Sequence, residues 1–209
     1  MCSRYRALDY SIAKEFVDAL NNKEAFVYEP QDDADSEPYQ LVFPGATAPV
    51  ISPVFTGDKP TGLALDKLSW GYTVEWNNKP IFNTRFETAI KDEGRNMWRE
   101  SLASRRCLIP SMGFYEPHKT ETKPSEKTGK PIKQNYLFTL PNDSLMFIAG
   151  VFNAEGQYSM MTTSPNKWVS DIHTRMPIVL DKSELMTWLF GDYEKVFDRS
   201  GLELVAERA

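Results

Sequence analysis

The sequence predicts a single α+β domain over residues 1–209, built on a curved, mostly antiparallel sheet or a small barrel with a few flanking helices. Many short apolar segments are bounded by Pro or Gly, which is typical of strands. Three other segments have the features of helices. The regular alternation of strand and helix that builds a doubly wound parallel sheet is missing. At 209 residues and 41% hydrophobic residues, the chain can bury a core without disulfides or metal ions.

Three segments are predicted to be helical. In Ser11–Asn21 the apolar residues recur every fourth position, behind a cap at Asp9 or Ser11. In Glu87–Leu102 the apolar residues fall roughly on one face. Asp181–Gly191 begins with an acidic cap, has a glutamate three residues later, and ends at a glycine, which together predict both ends of a helix.

Eight short apolar segments are predicted to be strands, and the last three are expected to form a meander. The segments are Leu41–Phe43, Val50–Phe55, Leu68–Tyr72, Cys107–Ile109, Gly113–Tyr115, Tyr136–Leu140, Leu145–Phe152 and Gln157–Thr162. A turn is expected at residues 110–112, between the fourth and fifth strands. Residues 29–38 are rich in acids and predict a solvated loop, and the five lysines of Lys119–Lys133 predict a flexible basic loop.

Composition excludes several classes of protein. The net charge of −5 excludes a chain covered in basic residues, although it leaves room for a local basic groove. No run of 18 apolar residues is present, and the charged N-terminus has no apolar core of a signal peptide, so we expect a cytoplasmic protein with reduced thiols. Two His and two Cys without CxxC or HxxxH spacing argue against a zinc site, and the phosphate-binding glycine motifs are absent.

Cys2 is the first candidate for chemistry because a small residue at this position usually allows removal of Met1. A cysteine at the N-terminus carries a thiol and an amine, with ordinary pKa values of about 8.5 and about 7.7–8.0, so both are partly nucleophilic near neutral pH. The amine can form an imine with an aldehyde, which the thiol closes to a thiazolidine. Alternatively the thiolate attacks an acyl carbon with the amine as base. Position alone favours an ordinary free cysteine.

Three further clusters carry candidate residues. Asn83, Arg85 and Glu87 alternate, which suits recognition of a phosphate or sugar on an extended segment, or else a polar strand edge. Glu116 ends an aromatic strand, where partial burial would raise its pKa toward acid–base work. His173 lies between an acid and an arginine and is a candidate proton shuttle or a structural histidine. Cys107 is expected in the core and His118 at the surface.

Six motifs, taken in order, resemble the SRAP family, the SOS response-associated peptidase-like proteins that shield abasic sites in DNA. The family pattern is Met-Cys-Gly-Arg, a Pro-Gly loop, a Trp-Gly strand, Asn-Ala-Arg-x-Glu, an Arg-Cys strand that ends in Gly-aromatic-aromatic-Glu, and Ile-His-x-Arg-Met-Pro. The counterparts here are Cys2 with Arg4, Pro44-Gly45, Trp70-Gly71, Asn83 with Arg85 and Glu87, Arg106-Cys107 with Gly113–Glu116, and Ile172–Pro177. Ser3 and Pro117 depart from the family's glycine and tryptophan.

The resemblance implies a reaction. In this family the N-terminal cysteine attacks the ring-opened aldehyde of an abasic deoxyribose in single-stranded DNA and forms a thiazolidine crosslink. By motif match Cys2 is the nucleophile, and Asn83 holds the cysteine terminus or the sugar. Glu116 assists proton transfer at the amine, and His173 protonates the sugar ring oxygen. The family is also said to cleave its own leading methionine, so the expected enzyme class is peptidase, hydrolase or lyase.

The resemblance also implies how DNA is bound. Arg4, Arg85 and Arg175 would grip phosphates, and Trp70 would stack on bases or wedge between them. The resemblance implies no cofactor and no metal, and the implied partner is single-stranded DNA with an abasic site. We expect the protein to be a monomer and not to bind membranes.

Two alternatives remain from other classes. A non-catalytic single-strand-binding module predicts salt-sensitive binding without a covalent product. An N-terminal-nucleophile amidohydrolase also begins Met-Cys, but the chain has no Asn-Gly pair of the kind expected in its oxyanion region.

Overall fold

A computed structural model describes residues 2–28, 38–91, 96–143 and 145–209. The predicted acidic loop, except for Pro38, lies outside the described residues. The predicted α+β class is confirmed. Of the two predicted alternatives, a curved sheet and a small barrel, the structure has a large curved sheet. None of the described helices combines the length and the apolar character needed to cross a bilayer.

The described elements are four α-helices and fourteen strands, with three short 3-10 helices. The helices are α1 (Tyr10–Asn22), α2 (Phe86–Ala89), α3 (Arg99–Ser104) and α4 (Leu185–Phe190). The strands are β1 (Tyr5–Leu8), β2 (Tyr39–Val42), β3 (Thr47–Thr56), β4 (Lys59–Trp70), β5 (Tyr72–Val74), β6 (Asn77–Ile81), β7 (Asn83–Arg85), β8 (Arg106–Pro124), β9 (Pro131–Thr139), β10 (Met146–Phe152), β11 (Gln157–Thr163), β12 (Met176–Pro177), β13 (Val179–Leu180) and β14 (Val205–Arg208).

Twelve of these strands form one sheet in which β8 is the longest strand. The main path runs β13-β10-β11-β4-β3-β8-β1-β2. The sheet curves so strongly that β8 also pairs with β10, yet β3 and β8 share only the pair Ile51–Leu108. Because β3 and β8 share so little pairing, the sheet does not close into a regular barrel. Pairing is antiparallel except where β11 runs parallel to β4 and β7, so the predicted mostly antiparallel sheet is confirmed.

Two apolar clusters form the core. The first packs α1, α3 and α4 around buried residues such as Phe16, Leu102 and Trp188. The second contains Cys2 and Trp70 together with side chains of β1, β8 and β10. The N-terminal segment is therefore a core element, because β1 lies between β2 and β8 and pairs with both.

The turn expected at residues 110–112 is wrong, because β8 continues through them. The Ser111 hydroxyl donates to the carbonyls of Arg6 (3.0 Å) and Gly113 (3.1 Å) and so satisfies the backbone at a bulge against β1. Gly113 has φ +148°, and a Cβ there would lie 2.8 Å from the Phe138 carbonyl oxygen. Only glycine lets the strand pass this point and continue to Glu116.

The flexible basic loop expected over Lys119–Lys133 is also wrong. β8 and β9 form an antiparallel hairpin with pairs from Phe114–Phe138 to Pro124–Pro131. Its turn is closed by hydrogen bonds from Ser125 N to the Lys130 carbonyl (2.9 Å) and from Gly129 N to the Ser125 carbonyl (2.7 Å). Charge content predicted exposure correctly, but it cannot reveal pairing between two strands.

Two of the three predicted helices are confirmed. Asp9 caps α1 by accepting from Ser11 N, and Asp181 and Glu184 form a capping box before α4, whose first turn is a 3-10 helix. The long helix expected over 87–102 is wrong in its described part. Among the described residues only its two ends are helical, as α2 and α3, and the Asn96 amide donates to the carbonyls of Ala89 and Lys91 after the first of them.

The expected meander is confirmed only for β10 and β11, which form a hairpin. Strand β9 instead pairs with β8 and β14. A buried arginine, Arg106, joins the helices to this sheet by donating to carbonyls in the last turns of α3 and α4, among them those of Leu102 (2.8 Å) and Leu189 (3.2 Å).

Candidate active site

Cys2 lies fully buried between the start of β1 and the strand β8. The backbone fixes it on both sides: Tyr115 N donates to the Arg4 carbonyl (3.0 Å), and Asn83 Nδ2 donates to the Cys2 carbonyl (2.6 Å). The Cys2 thiol donates to the Arg4 carbonyl at 3.4 Å. Asn83 and Tyr115, from two distant parts of the chain, therefore hold the segment around this cysteine in place.

Glu116 and His173 stand beside this cysteine. Glu116 is buried in β8, and the nearby backbone N–H of Cys2 lowers the pKa of its carboxyl group against the larger effect of burial. His173 Nε2 lies 3.4 Å from Glu116 Oε2, and His173 Nδ1 lies 3.0 Å from the Pro117 carbonyl oxygen. Because a carbonyl can only accept, Nδ1 carries the hydrogen, and neutral His173 therefore presents the Nε2 lone pair to Glu116.

Burial shifts the pKa values of all three groups toward their neutral forms. It raises the pKa of Glu116 to about 8, and it lowers the pKa of His173 below its usual value. It also raises the pKa of the Cys2 thiol far above its ordinary value, and the Glu116 carboxylate adds to that rise. At neutral pH the favoured arrangement is a protonated Glu116 facing a neutral imidazole, which keeps one transferable proton beside Cys2.

The Asn83–Glu87 segment divides between two roles. Asn83, in β7, is buried next to Cys2, and among the described residues its Oδ1 has no hydrogen-bond partner. Glu87 binds Arg175 through two hydrogen bonds of 2.8 and 2.9 Å. The carboxylate of Glu87 is thus engaged by Arg175. Arg85 is exposed.

Arg4 and Arg175 differ in how much of each guanidinium is engaged. Arg4 lies with its guanidinium carbon 3.9 Å from the centre of the Tyr115 ring, two residues from Cys2. Arg175 also donates to the Thr162 carbonyl (2.8 Å), so Glu87 and β11 hold it in one orientation. Arg85 and Arg4 therefore present the more available positive charge.

The expectation that Trp70 stacks on bases is corrected. Trp70 is fully buried, its indole N–H donates to the Phe82 carbonyl (2.8 Å), and its ring packs edge-on against Tyr5. A base cannot reach either face. Sequence reasoning missed Trp76, which is 73% exposed at the turn between β5 and β6. The polar residues around it, Glu75 and Asn77, were the available signal.

The two remaining chemical candidates lie where expected. Cys107 is a buried core residue, and His118 accepts hydrogen bonds from Thr120 N and Glu121 N at the surface end of β8. In the part of the chain that the structure describes, no group of three His, Cys, Asp or Glu side chains is arranged to hold a metal ion.

The chain is similar to known proteins in sequence. It is 29% identical over 138 residues to the abasic site processing protein YoaM of Bacillus subtilis, covering 60% of this chain and 56% of that protein. It is 25% identical over 206 residues to the abasic site processing protein HMCES of Xenopus tropicalis, covering 83% and 60%. The chain thus spans little more than half the length of these curated relatives.

The fold is also found in solved structures. A phage-related protein from Bordetella bronchiseptica matches with a TM-score of 0.68 at 18% identity, covering 100% of this chain and 94% of that one. A protein from Bacteroides thetaiotaomicron matches with a TM-score of 0.65 at 18% identity, covering 99% and 92%. The family model described as SOS response associated peptidase (SRAP) matches residues 1–206. The chain therefore belongs to the SRAP family.

Proposed function

We propose that this protein captures abasic sites in single-stranded DNA by forming a thiazolidine through Cys2 after Met1 has been removed. The observation that carries the proposal is the convergence on Cys2 of Asn83, Glu116 and His173, side chains from β7, β8 and the segment before β12. The names of the relatives, abasic site processing proteins, support a role on damaged DNA.

The reaction needs no cofactor to balance. The ring-opened sugar presents an aldehyde carbon, which the Cys2 amine attacks to give a carbinolamine. Loss of one water gives an imine, and the Cys2 thiol adds to the imine carbon while its proton passes to the nitrogen. One water is released, and one C–N and one C–S bond form.

Glu116 and His173 supply the proton transfers. Glu116 lies beside the nitrogen of Cys2, so once it has passed its own proton to His173 it is placed to take a proton from the amine and return it to the leaving water. His173 is the more exposed partner, with 14% of its side chain accessible against none for Glu116. His173 would therefore receive the Glu116 proton at Nε2 and pass it to the sugar ring oxygen as the ring opens.

Polar neighbours would position the sugar and its phosphates. The Asn83 amide holds the Cys2 carbonyl through Nδ2, and its free Oδ1 can accept a hydrogen bond from the bound sugar. Arg4 and Arg85 would bind phosphates on either side, while Arg175, held by Glu87, would supply a fixed charge.

Trp76 replaces Trp70 as the residue that would stack on a base. We expect Trp76→Ala to weaken binding to single-stranded DNA by about 1–3 kcal/mol, because stacking on an exposed aromatic ring contributes about that much per base. Fluorescence anisotropy with a labelled oligonucleotide measures the effect. Phe55→Ala, which removes another exposed aromatic ring at the end of β3, is the control and should leave the affinity unchanged. Equal losses in the two variants would contradict the role of Trp76.

The proposal is tested by mixing the protein with an oligonucleotide that carries one abasic site and running a denaturing gel. The parent protein, with Met1 removal checked by intact mass, should give a shifted band. Cys2→Ala and a form that retains Met1 should give none. A parent protein that lacks Met1 and forms no band would overturn the proposal. Salt-sensitive binding without a band would then favour the binding module, and release of ammonia from glutamine would favour the amidohydrolase.

The same samples address removal of Met1. Alanine is as small as cysteine, so a general aminopeptidase would process Cys2→Ala as readily as the parent. Retention of Met1 in Cys2→Ala alone would mean that the chain releases its own methionine, which would fit the peptidase in the family's name. Equal processing of both forms would exclude this step.

A further inference from the structure

The hairpin at the end of β8 and β9 is a second positively charged surface next to the site. We define the lysine arm as residues Lys119–Lys133, and we infer that it binds phosphates of the DNA that flanks the captured abasic sugar. The inference rests on the proposed function, since it takes the occupant of the site to be DNA.

The root of the arm is joined to the catalytic residues. The Pro117 carbonyl accepts from His173 Nδ1, as described above, and Lys119 N donates to the Ile172 carbonyl (2.8 Å). Lys119 Nζ donates to the Ser170 carbonyl (2.6 Å). The arm therefore begins at the loop that carries His173, three residues beyond Glu116.

The arm extends well past the site. From Pro117 to Pro124 the strand β8 covers roughly 20 Å at about 3.3 Å per residue. One strand of a DNA duplex carries a phosphate about every 3.4 Å along the axis, so this length faces several phosphates. Lys123 and Lys127 line a shallow groove together with Arg4, which leads from the segment next to Cys2 onto the arm.

The charge of the arm is opposite to that of the protein. Its five lysines and two glutamates leave a surplus of three positive charges in a chain whose net charge is −5. Glu121 is bound by Arg208 (2.8 Å) and by the Tyr136 hydroxyl (2.7 Å). Within the described residues none of the five lysines is ion-paired with an Asp or Glu side chain.

The contacts that these lysines make go to main-chain oxygens. Lys123 Nζ donates to the Ala209 oxygen (2.8 Å), and Lys133 Nζ donates to the Lys119 carbonyl. These bonds hold the stems in place on an ordered hairpin, while Lys127 and Lys130 are exposed at its turn. The charges of Lys127 and Lys130, on flexible stems, suit phosphates whose spacing varies, so DNA backbone is the partner that matches this surface.

The test compares two triple variants of equal charge. One carries Lys123→Gln, Lys127→Gln and Lys130→Gln, and the control carries Lys59→Gln, Lys182→Gln and Lys195→Gln, three exposed lysines on other elements. Affinity for an undamaged oligonucleotide is measured over a range of salt concentrations. Each phosphate contact in single-stranded DNA contributes about 0.7 to the slope of log K against log salt, so the arm variant should lose about 2 from that slope. The control should match the parent.

Crosslinking separates this inference from the proposed function. Capture of free 2-deoxyribose 5-phosphate should be equal in all three proteins, since this sugar is too small to reach the arm. The crosslinking rate is also measured on two oligonucleotides, one with a single-stranded flank and one with a duplex flank next to the abasic site. The arm binds the flank of the substrate on which the arm variant crosslinks more slowly than the control. Equal slopes and equal rates for the two triple variants would overturn the inference. Loss of the crosslink in the parent, with the slope difference retained, would overturn only the thiazolidine chemistry.

Discussion

Replacement of Glu116 by glutamine is expected to slow crosslinking by about 100- to 10,000-fold, the usual contribution of a general acid–base group. Glutamine keeps the shape of the side chain and its contact with the Cys2 nitrogen, but it can neither take nor return a proton. The rate is measured on the abasic oligonucleotide at pH 7 with intact mass defining the N-terminus. Glu15→Gln, on the exposed face of α1, is the matched control and should react like the parent.

The same substitution is expected to stabilise the fold at alkaline pH. Burial raises the pKa of Glu116 from 4.5 to about 8, so the folded chain binds this proton more tightly than the unfolded chain. Below pH 4.5 both states are protonated, and the contribution to stability is fully present. As pH rises from 4.5 to 8, only the unfolded chain releases the proton, and stability falls by up to about 1.4 kcal/mol per pH unit.

The glutamine variant lacks this titration, so its advantage in the free energy of unfolding should grow to a few kcal/mol by pH 8. Urea unfolding at pH 5 and pH 8 measures the difference, with Glu15→Gln again as control. A gap between parent and variant that stays constant over this range would show that Glu116 is ionised in the fold. A glutamine variant that is more stable but does not crosslink would mean that the buried Glu116 lowers the stability of the fold and is kept for its role in the reaction.

Substitution of Arg106 by methionine is expected to destabilise the fold by about 2–4 kcal/mol. Its guanidinium donates to five carbonyls, those of Leu102, Ala103, Trp188, Leu189 and Gly191. These are the last carbonyls of α3 and α4 and the residues after them, and each one left buried without a donor costs about 1–3 kcal/mol. Burial also disfavours the positive charge of Arg106 and lowers its pKa, so a neutral methionine recovers part of that cost.

The control for Arg106 is its neighbour Arg105. Arg105 is half-buried, pairs with the exposed Glu100 and donates to a single carbonyl, that of Phe152 (3.3 Å), so its replacement should cost less than that of Arg106. Urea unfolding of Arg106→Met and Arg105→Met compares the two directly. Similar losses in both would contradict the capping role, and a partial loss in Arg106→Lys would support it, because lysine keeps the charge but cannot reach both helix ends.

Features with a local cause were predictable from the sequence. The caps of α1 and α4 depend on residues within one turn, and the alternation of apolar segments with turn residues identified about half of the described strands. The continuity of β8 was not predictable, since Pro110, Ser111 and Met112 resemble a turn. They stay extended because Ser111 bonds to Arg6 and because Gly113 passes close to β9, contacts between segments that are far apart in sequence.

The site was predictable only in part. Cys2, Asn83, Glu116 and His173 are spread over most of the chain, and spacing alone gave no reason to group them; the order of motifs did. The structure brings all four together. The choice between Trp70 and Trp76 depended mainly on packing. The polar neighbours of Trp76 indicate its exposure, but nothing in the sequence around Trp70 shows that its indole lies against Tyr5.

The position of β1 in the sheet sets an order of events during synthesis. Its partner β8 lies about 100 residues later in the chain. At a synthesis rate of about 5–20 residues per second, β8 therefore leaves the ribosome roughly 5–20 seconds after β1. During that interval the segment around Cys2 has no strand to pair with and no pocket to enter. Enzymes that modify nascent chains therefore meet Cys2 as an open peptide, and the thiol becomes enclosed only when β8 arrives.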